Sequence, residues 1–65
     1  MNILLNGKAH TTTARTVGEL LHELATPPTG IAVAINDSVV RRAELDATAL
    51  NENDRVEVIR AVQGG

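Results

Sequence analysis

The chain has 65 residues and a net charge of −2, with six basic and eight acidic residues, and it contains no cysteine, phenylalanine, tyrosine or tryptophan. These features limit it to one small domain with an aliphatic core, and they exclude disulfides, thiol chemistry and aromatic platforms for stacking bases. There is no basic stripe for nucleic acid, no aliphatic run long enough for a bilayer and no charged opening of a secretory signal, so a cytoplasmic monomer is the expectation.

Asn2-Ile3-Leu4-Leu5 predicts a first strand. Asn6-Gly7 follows, the pair that best accepts the two positive φ angles of a tight hairpin turn. Lys8 to Thr12 then returns as the second strand. Thr16-Val17-Gly18-Glu19 has the spacing of a capping box, and Val17, Leu20, Leu21 and Leu24 recur at helical spacing to give one apolar face. Thr26-Pro27-Pro28 stops that helix, because proline constrains the residue before it and offers no N–H.

Ile31 to Ile35 predicts a buried strand, with Ile31, Val33 and Ile35 on one face. Asn36-Asp37 is a turn into a short strand at Val39-Val40, and Arg41-Arg42 marks that strand as an exposed edge. Ala43 to Leu50 is irregular or briefly 3₁₀. Asn51-Glu52-Asn53-Asp54 is a further turn, with Asn53 suited to the left-handed conformation. The last run, Arg55 to Val62, changes phase. Val56 and Val58 share one face, whereas Ile59 and Ala61 fall on the face that began polar. Either a bulge returns them to the core or they form an apolar patch on open sheet.

The order β-β-α-β-β-β predicts an α+β domain, a mixed sheet of about five strands with one helix across one face. The first and last strands are expected to be parallel neighbours at its centre. The chain stops on Gly64-Gly65, directly after the last strand. A carboxylate on two residues without side chains can enter a narrow active site, and extended backbone from Gln63 to Gly65 reaches about 10 Å. The expected division is a folded body over 1–62 and a flexible tail over 63–65.

Taken together, these segments resemble the ubiquitin-like β-grasp proteins, and within them the sulfur-carrier family of thiamine biosynthesis (ThiS). The resemblance covers the whole length. It rests on Ile3-Leu4-Leu5-Asn6-Gly7, Thr16-Val17-Gly18-Glu19-Leu20-Leu21, Ala32-Val33-Ala34-Ile35-Asn36, Val39-Val40 with Arg42, Asn53-Asp54-Arg55-Val56-Glu57-Val58 and Gly64-Gly65. Members often have proline at the position of Arg41, tryptophan at Leu45 and glycine at Asn53.

The resemblance implies a carrier that is acted on, not an enzyme. An ATP-dependent adenylating (E1-like) enzyme would activate the Gly65 carboxylate, a sulfur donor protein would convert it to a thiocarboxylate, and thiazole synthase would receive the sulfur. ATP is then used by the partner, and the carrier binds no cofactor or metal. Without a thiol, sulfur could be carried only on the terminus. Ile59, Ala61 and Val62 are candidate docking residues beside the tail, and Arg41 and Arg42 a candidate pair for an acidic surface.

His10 and His22 have no second ligand at metal spacing. Glu52, Asp54 and Glu57 form a loose acidic group, read as solvated. Three alternatives stay open. The chain resembles, in fold and ending, the small subunit of molybdopterin synthase, which is usually longer. A ubiquitin-like modifier joined through Gly65 is the second, and a β-grasp interaction module with incidental glycines the third.

Overall fold

Local turn chemistry sets the frame. In the computed structural model, which describes residues 1–60, β1 (Asn2–Leu5) and β2 (Lys8–Thr11) are antiparallel. They are joined through Asn6 at φ 50° and Gly7 at φ 82°, the left-handed values for which asparagine and glycine are suited. The second strand ends one residue earlier than its sequence predicts. Thr12 still exchanges backbone hydrogen bonds with Met1 but is buried, its hydroxyl accepting from the Ala14 N–H at 2.9 Å.

Helix α1 (Val17–Glu23) starts at the expected cap: the Glu19 N–H donates to Thr16 Oγ1 at 3.1 Å. The Glu19 carboxylate reaches back one residue further than a capping box requires and accepts from the Arg15 N–H at 2.7 Å. Around it, Val17 N–H donates to Thr48 C=O and Leu50 N–H to Arg15 C=O, bridging the helix entry to residues 48–50. The helix ends before the prolines act. Ala25 turns left-handed at φ 54°, and Thr26 N–H donates to Leu21 C=O at 2.9 Å, closing the helix end in the manner usually left to glycine.

Strands β3 (Ile31–Ile35) and β4 (Ser38–Val40) form a second tight hairpin through Asn36 and Asp37, at φ 48° and 74°. A 3₁₀ helix covers Arg42–Ala47, and Asn53 turns left-handed at φ 69° just before β5 (Arg55–Arg60). The five strands lie in the order β2-β1-β5-β3-β4. The last strand is therefore central, parallel to β1 and antiparallel to β3, and β4 is the edge that Arg41-Arg42 signalled.

Alternation then decides what is buried. Ile3, Val33 and Val56 point to one side of the sheet and meet Val17, Leu20 and Leu21 of α1, while Leu45 and Leu50 close the flank. Each such side chain taken from water contributes about 1.5–3 kcal/mol. Asp54 departs from its sequence reading. It is 8% exposed and not part of a solvated acidic group. Its carboxylate accepts from Asn36 Nδ2 at 3.0 Å and the Asn51 N–H at 2.8 Å, tying the two turns that flank the start of β5. Burial of a charge is tolerable there because it is hydrogen-bonded. Glu52 also has a partner, accepting from the Asn2 N–H at 3.1 Å.

Candidate carrier site and docking face

The helix covers one side of the sheet and leaves the other open. On that open side the cross-strand pairs set Ile59 of β5 beside Ala32 of β3 and Val39 of β4 beside Ala34, which has Glu57 on its other side, whereas Leu4 of β1 lies beside Arg55 at the start of β5. Leu4 is 41% exposed, Ile59 57% and Val39 77%. Scattered apolar residues are ordinary on a surface, and Leu4 is one of these, but Ile59 and Ala32 lie side by side next to the exit of β5.

The choice left by the phase change is thereby made for Ile59. The β3–β5 ladder runs without interruption, Ile31 with Arg60, Ala32 with Ile59, Val33 with Val58, Ala34 with Glu57 and Ile35 with Val56. No bulge occurs in β5 among the described residues, so Ile59 belongs to the open patch. Ala61, Val62, Gly64 and Gly65 lie outside the described residues. The expected tail, 63–65, lies there too.

The two arginines sit at the same end of the sheet as the exit. β4 and β5 run the same way, because both are antiparallel to β3, and Val40 lies level with Val33 and Val58. Arg41 is thus the first residue beyond β4, in extended backbone, and Arg42 opens the 3₁₀ helix; both are exposed. Arg42 borders an open groove of about 630 Å³ between α1 and the 3₁₀ helix, with Leu21, Ala25, Pro27, Pro28 and Leu45 on its walls.

Sequence reading missed Leu4 and Val39 as members of the open face. The signal was present in parity alone, since each alternates with a neighbour that points inward. It also missed how His10 is used. His10 Nε2 lies 3.2 Å from Glu23 Oε2, and the Thr12 hydroxyl donates to Glu23 Oε1 at 2.8 Å, fastening β2 to the last turn of α1. The Thr12 hydroxyl and then His10 hold the Glu23 carboxyl below its ordinary 4.5. No helix of the described residues is long and apolar enough to cross a membrane.

The sequence pattern of the ThiS family matches residues 3–65. The chain belongs to the ThiS family. A ThiS protein of Geobacter metallireducens, described as a thiamine biosynthesis protein, has the same fold. Its crystal structure superposes with a TM-score of 0.85 at 33% identity, covering 100% of both chains. The solution structure gives 0.77 at 33% identity over 100% of this chain and 87% of that one. The sulfur carrier protein ThiS of Thermus thermophilus is 32% identical over 63 residues, 97% of this chain and 98% of that protein. A thiazole synthase of Magnetococcus marinus is 41% identical over 66 residues, which is 100% of this chain but only 20% of that protein. This ThiS chain thus spans a fifth of the length of that relative, and a ThiS-like stretch lies within it. The ThiS match makes the chain a sulfur carrier of thiamine biosynthesis with a ubiquitin-like β-grasp fold.

Proposed function

We propose that the reactive group of this sulfur carrier is the α-carboxylate of Gly65, presented to partners by a fold that performs no chemistry itself. The observation that supports this most is the family match, which runs on to Gly65 itself. An α-carboxyl group ordinarily titrates at about 3.5, so it is anionic and nucleophilic at neutral pH.

In the proposed cycle the carboxylate oxygen attacks the α-phosphorus of ATP on an adenylating enzyme, and pyrophosphate leaves. The product is a mixed anhydride. A persulfide sulfur of a donor protein then adds at the Gly65 carbonyl and AMP departs; a thiol cleaves the resulting S–S bond, taking the donor's inner sulfur into a disulfide and leaving a thiocarboxylate. Thiazole synthase takes the sulfur. The Magnetococcus marinus protein supports that partnership, because there a ThiS-like stretch and a thiazole synthase occur in one chain. The exposed Ile59, next to Ala32 on the open face, suits docking beside the exit of β5, and Arg41 and Arg42 supply positive charge at the same end. ATP belongs to the partner's site, and the carrier works in the cytoplasm.

Intact mass tests this directly. Carrier recovered from thiamine-starved cells is expected to show replacement of one oxygen by sulfur, mapped by fragmentation to Gly65. Gly65→Val should fold normally yet lose adenylation by about 100-fold or more, since a branched Cβ beside the carbonyl disturbs a near-attack geometry. Adenylation of Gly65→Val at the parent rate, or isopeptide adducts in place of sulfur, would overturn the reading. The second outcome would favour the modifier alternative.

A further inference from the structure

The open side of the sheet carries a carboxylate near its centre. Glu57 has the parity of Arg55 and Ile59 and is exposed, whereas Val56 is buried and Val58 packs against the core. The ladders place its neighbours. Glu57 lies level with Ala34, and Ala34 with Val39 of β4. Two residues nearer the exit are Ile59 and, beside it, Ala32. On the other flank β1 has ended at Leu5, level with Val56, and the turn residue Asn6 follows, its side-chain oxygen accepting from the Val58 N–H at 2.9 Å.

The cation next to Glu57 on this face is engaged elsewhere. Arg55, two residues earlier on β5, holds Asp37 at 3.1 Å. The other ion pair among the described residues joins His10 to Glu23 on the helix side. Glu57 is in neither. Ala34 is half-buried between Glu57 and Val39, and a dip of about 230 Å³ opens beside Glu57 among Leu4, Gly7, Arg55 and Asp37. A carboxylate so placed is solvated while the face is open. Once covered it must meet a cation, because a desolvated charge without a partner is strongly unfavourable. A purely apolar partner surface is thereby rejected.

Resting on the reading of Gly65 above, which brings the adenylating enzyme to the exit end of β5, we propose that Glu57 is the specificity residue of the open face and receives a guanidinium or ammonium group of that enzyme. The enzyme surface that fits is apolar where it meets Ile59, Ala32, Ala34 and Val39, with one cation placed to reach Glu57. The dip beside Glu57 takes the aliphatic stem of an arginine or lysine against Leu4. Arginine suits the site best, since its planar fork matches a carboxylate with two hydrogen bonds. The pairing also fixes how the carrier sits. Arg41, Arg42 and Arg60 make the exit end positive while Glu57 is negative, so a partner complementary to both cannot hold the carrier turned end for end.

The test uses the full chain with its adenylating enzyme at several salt concentrations. Titration calorimetry reads binding, and pyrophosphate exchange with ATP and magnesium reads activation. Glu57→Gln keeps the shape of an exposed side chain, so the urea midpoint should stay that of the parent. Binding is expected to weaken about tenfold or more, as when one member of a charge pair is removed from an interface, with kcat unchanged at saturating carrier. The dependence of affinity on salt should become shallower, which loss of a merely structural contact would not cause. Glu57→Asp, which keeps the charge, should recover part of the loss. Glu57→Leu tests the opposite case, since an enzyme surface without a cation would bind it more tightly than the parent. Unchanged or tighter binding of Glu57→Gln or Glu57→Leu would overturn the proposal, and exchange at the parent's kcat in those variants would leave the reading of Gly65 intact. A parent that binds the enzyme yet supports no exchange would remove the Gly65 reading instead, with the role of Glu57 still decided by calorimetry.

Discussion

Ala25 closes the C-terminal end of α1 in a conformation that an alanine is poorly suited to. An alanine at φ 54° is in a region that costs a side-chain-bearing residue about 1–2 kcal/mol. Glycine would avoid that strain but lose more freedom on folding. The balance favours Ala25→Gly by about 0.5–1 kcal/mol, measurable as a higher urea midpoint at unchanged slope. Glu23 makes a second expectation, one of pH. Its folded-state value is depressed, first by the Thr12 hydroxyl and then by His10. The stability it contributes is therefore fully present above its ordinary 4.5 and is lost as pH falls through the lower folded-state value. Urea midpoints measured downward across that window should fall less steeply for Glu23→Gln than for the parent. Parallel curves would remove the cluster from the account. Neither residue was legible from sequence, because both depend on which segment lies opposite. Asn6, Asn53 and the Thr16 cap were legible because their geometry is local.

Among the elements, β5 serves both faces of the sheet. Its Val56 and Val58 face the helix and its Ile59 faces outward, so one strand supplies the core and an exposed apolar residue by parity alone. Ile59→Thr keeps a β-branched side chain, makes the patch more polar and leaves the core untouched. Stability should change by no more than about 0.5 kcal/mol, while KM for the adenylating enzyme rises by about tenfold and kcat holds, the pattern of lost uniform binding. A fall in kcat alone would assign Ile59 a different role. The phase change in this strand was visible in sequence, but its meaning was not. A bulge and an exposed patch give the same residue pattern, and only the unbroken pairing with β3 separates them. The contact between α1 and the 3₁₀ helix shows the opposite case. A Cβ at Gly18 would overlap the Asp46 carboxylate, so glycine inside the helix is set by a neighbour that no periodicity reveals.

At the scale of the molecule, the core is thin. A domain of this kind is stable by roughly 0.05–0.15 kcal/mol per residue. Leu20 is fully buried at its centre, and truncating a buried leucine to alanine costs about 2–5 kcal/mol. Leu20→Ala should therefore remove about half of a total of roughly 3–10 kcal/mol, seen as a much lower urea midpoint and faster proteolysis. Strand count, helix and the parallel pairing of the outermost segments in sequence were all readable, since hydrophobic period and turn residues report them. The mutual arrangement of charges was not, because lateral neighbours in a sheet come from distant parts of the chain.

That placement of β5 carries one more consequence. The middle of the sheet is vacant until the final strand arrives, and its partners β1 and β3 are made long before it. During synthesis the nascent polypeptide cannot complete its hydrogen-bonded ladder while those last residues are still inside the ribosomal tunnel. Chains aborted upstream of Arg55 lack the strand that joins β1 to β3. The complete five-stranded sheet therefore forms only after translation has passed Arg60.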